Sequence, residues 1–411
     1  MSTLVEVCRI PHIVRLMGSQ CLSRLPQGAL SILLLVHSEI VLGSYAAAGL
    51  VVAVFSVAAA ASGPLLGRML SVFGMRIILL ITVVVDSAAI ALFGVLPPSP
   101  PALFAVSVVI GLFTPPILPA VRSFYPQLTP PGMSAQVFSL DSITQEVVWA
   151  VGPIIATVLL PLIGTSAAFL TLGLTGLVGG LLIAGFPLTK TFRLASSRHG
   201  LGGVLLKWPV LIAVLSSILF NASYGAAQTG VVATFAATPA FAGLVLAAFA
   251  VASVIAGTIS VSFQMHRRSL AVRQIPTFVA LIVATLSGDP WWLGACMAVA
   301  GLGAAPALAV MHNTISSSLR PADAAEAVGW MGSAMLSGIA IGSAAGGYMV
   351  DHFGATSAIC LAALFSASAI ALAFGALRVL PDLSLHAGPP TDTSAVPVIR
   401  LPRRRVTGGP M

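Results

Sequence analysis

Charge is what this chain has least of. Its 411 residues include 11 Asp and Glu and 19 Lys and Arg, 7% in all, against roughly a quarter in a soluble globular domain. A water-facing surface cannot be built from so few. A soluble enzyme, a disordered protein and a nucleic-acid-binding domain are therefore excluded, and the net charge of +8 is first a question of where the charges sit relative to a bilayer. Cysteine is scarce as well. Cys8, Cys21, Cys296 and Cys360 share no C-x-x-C spacing, so neither a disulfide nor a metal site is expected. Nor is there an H-E-x-x-H, a G-x-S-x-G or a phosphate-binding loop, so no catalytic residue, no cofactor and no ATP-driven pumping is expected.

What the chain does have is hydrophobic residues, 58% of the total. A hydrocarbon core of ~30 Å takes ~20 apolar residues in a helix, and every backbone polar group inside it must be bonded internally. Apolar runs fall near 13–37, 44–66, 74–96, 101–121, 137–161 and 166–188, and again near 208–230, 238–262, 270–288, 290–312, 326–349 and 355–378. The stretch from Met1 to Ala48 is too long for a cleaved signal peptide, so the first run reads as an uncleaved span. The expected fold is an all-α membrane protein of twelve transmembrane helices in two six-helix bundles. It divides into an N-terminal bundle at 1–188, a cytoplasmic linker at 189–207, a C-terminal bundle at 208–378 and a disordered basic tail at 379–411 carrying Arg403, Arg404 and Arg405.

The basic residues test that count, since Lys and Arg accumulate in cytoplasmic loops. With the N-terminus inside, 18 of the 19 fall on one side, Arg122 among them in the loop between the fourth and fifth spans. The other side carries Glu39 and Asp289. A missed helix would reverse the parity downstream and spoil the separation. The expectation is thus a multi-pass protein of the cytoplasmic membrane with both termini cytoplasmic.

Sliding the first half along the second by 190 residues superposes Gly67 on Gly257, Gly111 on Gly301, Pro116 on Pro306, Pro131 on Pro321, Gly152 on Gly342 and Gly164 on Gly354. Two parallel repeats related by an axis along the membrane normal are a known transporter plan. The chain resembles the major facilitator superfamily over roughly 10–380, and its twelve-helix proton-coupled exporters in particular. Between the second and third spans Gly67, Arg68, Gly74 and Arg76 match that family's loop signature, which implies a gating role. The resemblance implies an acidic and a basic residue latching the halves there, and this chain departs from it with Ser71 and Val72 at those positions. Gly152-Pro153 in the fifth span is similar to the exporters' motif there, whose physical content is a close-packed kink. The exporters often carry an arginine partway along the fourth span. No basic residue lies between Arg76 and Arg122, so that element reads as missing or replaced.

Ionisable groups at membrane depth cost at least ~2.5–3.5 kcal/mol each on insertion scales, so each asks for a function and a partner. Arg24, Asp86 and Glu146 lie at depths of ~14–18 Å into their spans at 1.5 Å per residue. They are the expected proton-coupling residues, Arg24 and Glu146 as a switchable pair, and Asp86 the weakest. Asp141 reads as ordinary. In the seventh span Asn221, Tyr224 and Gln228 share one face at i, i+3, i+7. The resemblance implies that the first, fourth, seventh and tenth spans line the cavity, which makes these three the expected substrate contacts, with interhelical hydrogen bonding the plainer alternative. Pro115, Pro116 and Pro119 break the fourth span and could free carbonyls toward a cavity. Trp291 and Trp292 read as interface anchors, and His312 as a solvated interface residue.

The resulting expectation is a secondary transporter with no enzymatic activity, moving a small amphiphilic molecule by alternating access. A proton-coupled exporter is favoured over a proton-coupled importer. A non-transporting sensor on the same scaffold is the alternative that Ser71-Val72 keeps open. Protons, a small-molecule substrate and the lipid bilayer are the expected partners of a monomer, with no nucleic acid and no metal.

Overall fold

A computed structural model describes residues 12–96, 99–128, 134–191, 203–260, 263, 265–319 and 321–381. Among these the regular structure is helical. The elements are α1 (Ile13–Leu42), α2 (Tyr45–Val72), α3 (Met75–Phe93) and α4, which runs as Pro100–Leu112 and resumes as Ile117–Leu128. One stretch, Ser134–Ala184, is two helices joined at Gly164, here α5 (134–163) and α6 (165–184). The second half comprises α7 (Trp208–Thr234), α8 (Pro239–Ser260), α9 (Ile275–Ala284, preceded by the turn Ser269–Val272), α10 (Pro290–Ser318), α11 (Pro321–Phe353) and α12 (Ala355–Gly375). Ten helices among the described residues are long and apolar enough to span a membrane. The shorter apolar stretches Val147–Thr157 and Ser269–Ala284 stand where the fifth and ninth spans are expected, and the twelve-helix reading holds.

The local chemistry explains the breaks. Gly164 and Gly354 adopt φ of 76° and 84°, a backbone region open to glycine, and each separates the last two helices of its half. Gly74 does the same before α3 with φ 92°. Gly74→Ala is expected to cost about 1–3 kcal/mol through that conformation, lowering the melting midpoint in detergent without altering the circular dichroism of the folded protein. In α4, Pro115 has no N–H to give the carbonyl of Gly111. That carbonyl accepts from Ser62 Oγ of α2 at 2.9 Å and from the Thr114 N–H at 3.3 Å, so it is not free to face a cavity.

The repeat seen in sequence is a repeat in packing. Gly111 of α4 lies against the Phe55 carbonyl of α2, and Gly301 of α10 against the Phe249 carbonyl of α8. Gly152 of α5 lies on the Gly28 backbone of α1, and Gly342 of α11 on the Ala222 backbone of α7. In all four places a Cβ would run into main chain, which is why small residues sit there. Gly338 and Gly346 extend the α11 contact along α7.

The two halves do not meet evenly. The end of the bundle carrying Arg68, Arg76, Lys207, Arg267 and Arg268 is called the basic end. At the opposite end one apolar cluster mixes both halves, with Leu33, Val52 and Phe169 from the first and Val231, Leu246 and Ile359 from the second. At the basic end there are two clusters. One runs from Ile13 to Phe186 within the first half, the other from Val204 to Leu380 within the second. The α2–α11 seam has the same gradient. Gly49 meets Ser343, Gly347 meets Tyr45, and Ser333 Oγ donates to the Ala60 carbonyl at 2.9 Å. Further along the same helical stripes, Gly63 and Gly67 of α2 and Gly329 and Gly332 of α11 have nothing within 4 Å of where a Cβ would stand. The halves are joined at the opposite end and part toward the basic end.

Candidate functional site

The most concentrated polar chemistry inside the bundle lies in the first half, about 10 Å in from the basic end by helix rise. Three helices build it. The resumption of α4 at Ile117 turns Arg122 and Tyr125 inward, α5 brings Asp141 and Thr144 two to three turns after its start, and α1 supplies Met17, Gln20, Cys21 and Arg24. Gly28 and Gly152, cross-packed further along, hold α1 and α5 close enough for short polar side chains to bridge them.

Asp141 is the centre. Its side chain is 0% exposed and it accepts from Arg122 Nε at 2.7 Å, an ion pair whose arginine side is 32% exposed. The other carboxylate oxygen accepts from Gln20 Nε2 at 2.9 Å. Gln20 Nε2 also stands 3.3 Å from Tyr125 Oη and 3.4 Å from Thr144 Oγ1, while Thr144 Oγ1 donates to the Asp141 carbonyl at 2.7 Å. The Gln20 amide oxygen is buried and meets no donor among the described residues. Arg24, one turn beyond Gln20, is only 5% exposed. Among the described residues, Asp141 attracts it and Arg122 repels it. One carboxylate thus pairs with Arg122 and attracts a second guanidinium group, that of Arg24, in a low-dielectric interior. A buried pair of this kind is held by its hydrogen bonds, and moving either partner exposes an uncompensated charge. The arrangement can exchange partners, Arg122 for Arg24, or take up a proton on the carboxylate when a pairing opens.

The family model described as Major Facilitator Superfamily matches residues 16–207 and 210–406. The chain belongs to the major facilitator superfamily. Its members are membrane transporters, in keeping with the apolar helices found here. Among solved structures the fold is similar to that of a bacterial homologue of the human lysosomal transporter Spinster in an inward-facing, unoccupied conformation. The two share 14% identity at a TM-score of 0.71 over 90% of this chain and 98% of that one. The occupied form of that homologue gives 16% and 0.67 over 90% and 96%. A mutant of the nucleoside transporter NupG gives 15% and 0.70 over 90% and 100%. At these identities the likeness is one of fold. No curated protein matches the chain in sequence.

Against the superfamily fold, the residues singled out from sequence fall in different places. Arg122 lies inside α4, which continues to Leu128. It is no loop charge, and the fourth span does contain an arginine. Asp141, set aside as ordinary, is the hub. Asp86 is buried in α3 on the side of α6, next to Ser87, which meets Gly173 and Gly176; it is not among the groups acting on Arg24. Glu146 is in α5, with its side chain outside the described residues, as is that of Pro153. Asn221 does not join the expected stripe. Its Nδ2 bonds back to the Ser217 carbonyl at 2.8 Å, and its Cβ lies beside Gly338 of α11. Tyr224 and Gln228 do line a cavity, with Phe249, Thr277 and Met297, but it lies among α7–α10 and has room for only about one water. Gln228 also reaches across the seam, with Nε2 3.4 Å from Ser31 Oγ of α1.

Gly67 and Arg68 sit in the last turns of α2, with Gly74 and Arg76 at the start of α3. The side chain of Ser71 is outside the described residues, as are Arg403, Arg404 and Arg405. Trp291 and Trp292 begin α10, their N–H groups capped by Asp289 at 3.0 Å, and Trp291 is exposed. His312 is exposed in α10, with Nδ1 2.9 Å from the Leu308 carbonyl.

Proposed function

We propose that the chain is a proton-coupled secondary transporter, an exporter of a small amphiphilic or weakly anionic molecule, working by alternating access in the cytoplasmic membrane. One observation carries the reading. The halves share a core at one end and separate at the other, and the buried cluster of Arg122, Asp141, Gln20 and Arg24 stands in the half whose wall would be uncovered. Basic loops mark the cytoplasmic side of membrane proteins, so the described conformation is open to the cytoplasm and both termini lie there. The similarity to an inward-facing relative agrees with this.

In the cycle, rocking of the halves changes how much water reaches Asp141, and with it the balance between its pairing with Arg122 and its attraction to Arg24. A carboxylate whose pairing and solvation alternate is suited to carrying a proton one way while substrate moves the other. Glu146, at comparable depth, is the second acidic residue of this half with the means to take part. Gln228, which reaches the seam toward Ser31 of α1, presents a polar group to substrate from the other half, with Tyr224 one turn before it, and Arg24 supplies the cation that favours a weak anion over a sugar.

A growth-inhibition panel with and without the expressed gene would supply the substrate, since export reads out as resistance and import as sensitisation. Transport of that compound is then measured in proteoliposomes under an imposed pH gradient. Glu146→Gln is expected to reduce gradient-driven transport to background while counterflow persists; gradient-driven transport unchanged in the variant would remove Glu146 from coupling. The departure at Ser71-Val72 supports a second reading, a non-transporting sensor, for which the expected result is no counterflow with any compound of the panel.

A further inference from the structure

The two halves are held together at the end opposite the basic one by a carboxylate that the transport cycle proposed above leaves without a role. Asp351 is in the last turn of α11, and α2 begins at Tyr45. Asp351 Oδ1 accepts from the Tyr45 backbone N–H at 2.9 Å. Its Oδ2 accepts from the Ala46 N–H at 2.9 Å and from Ser44 Oγ at 2.6 Å. Ser44 is the N-cap of α2, and its Oγ accepts from the Ala47 N–H at 3.1 Å. A carboxylate from one half thus completes the helix cap of the other, where unpaired N–H groups and the positive end of the helix dipole favour an anion. Such charge-assisted bonds are stronger than neutral ones.

Three features make this more than a surface contact. It lies on the α2–α11 seam, which is tight here and open at the basic end, so opening of this end must break it. Beside it Gly347 meets the Tyr45 carbonyl, so the approach that seats the carboxylate depends on a residue without a side chain. The symmetry-equivalent seam between α5 and α8 closes through Gly243 against Thr157, with no ion pair among its described residues. The charged and titratable neighbours are Glu39 at the end of α1, which repels Asp351, Tyr45, and His352, which attracts it.

We propose that Asp351 is a positioning residue, the latch that keeps this end closed by capping α2 across the seam and so sets the resting orientation of the transporter. The inference rests on the reading that the halves rock. Release of the latch, by neutralising the carboxylate or by a ligand that competes for the α2 N-terminus, shifts the population toward opening at this end.

The test places spin labels at Val95→Cys and Ala236→Cys, both exposed at this end and one in each half, in full-length protein whose native cysteines are replaced by alanine. The parent is expected to give one short distance. Asp351→Asn is expected to add a longer component, with the open-to-closed ratio raised about tenfold or more. Asp351→Glu, which keeps the charge, should restore much of the short distance. Ser44→Ala, which removes one of the three donors and leaves the backbone groups, should shift the ratio the same way by less; it decides the matter if Asp351→Asn fails to fold. Unchanged distances in Asp351→Asn and Ser44→Ala would overturn the latch. Transport by those same variants separates the two ideas, because unchanged distances with active transport overturn the latch alone.

Discussion

Asp141→Ala is expected to destabilise the protein by about 3 kcal/mol and to abolish transport. The stability loss follows from what remains. Arg122 would keep its charge with no carboxylate to receive Nε, Gln20 would lose the acceptor at 2.9 Å, and Arg24 would lose the attraction of Asp141. Breaking a buried pair from one side typically costs ~3–5 kcal/mol. The lower figure applies because the Arg122 side chain is 32% exposed and keeps some solvation. Removing both partners is a different matter. The double variant Asp141→Ala, Arg122→Met leaves no unpaired charge from that pair and is expected to recover more than half of the loss. Thermal unfolding in detergent measures both. A single variant that melts with the parent, or a double variant worse than the sum of its singles, would mean that the pair does not hold α4 against α5.

Gly152→Val is expected to be at least as damaging, by a different route. A Cβ at Gly152 runs into the main chain of Gly28, and one at Gly28 into the main chain of Val148. Side-chain overpacking costs ~1–3 kcal/mol because neighbours can change rotamer; a backbone neighbour has no rotamer to change, so α1 and α5 must separate. That separation would also pull Gln20 from Asp141 and Thr144, joining loss of fold to loss of the site. Gly63→Ala serves as the control, since nothing stands within 4 Å of its Cβ position. Fluorescence-detected size exclusion should show Gly152→Val as aggregate and Gly63→Ala as a symmetrical peak. A monodisperse Gly152→Val would show that the crossing tolerates volume.

The architecture was legible in the sequence because hydrocarbon imposes a length and forbids unpaired backbone, so apolar runs and the sidedness of Lys and Arg had little else to mean. The repeat was legible through glycine, since two of the pairs that match at an offset of 190, Gly111 with Gly301 and Gly152 with Gly342, touch main chain, and a third, Gly164 with Gly354, adopts positive φ. The site was less so. The hydropathy of the fourth span fades after its prolines, so a boundary drawn at 121 put Arg122 outside the helix by one residue. Asp141, near the interface end of its span, reads as ordinary until Arg122 is placed inside α4. Extending the span through Tyr125 would have placed a charge at depth in need of a carboxylate 19 residues on. Asn221 misled for another reason. An i, i+3, i+7 stripe gives a face but not its neighbour, and α11 with its small residues takes that face. His37, buried between the rings of Phe93 and Phe169 at 5.6 and 5.3 Å, and Asp351, 307 residues from Ser44, depend on tertiary contacts that no local pattern announces.

The measurement that tests the account most directly is proton flux driven by substrate. Proteoliposomes loaded with a pH-sensitive dye are given a compound against which expression protects cells, with no other gradient imposed. The account predicts that movement of the compound is accompanied by opposite movement of protons, and that Asp141→Asn, which keeps the shape and loses the charge, abolishes the proton flux. Transport of the compound with no change in internal pH, or proton flux unaltered in Asp141→Asn, would contradict it.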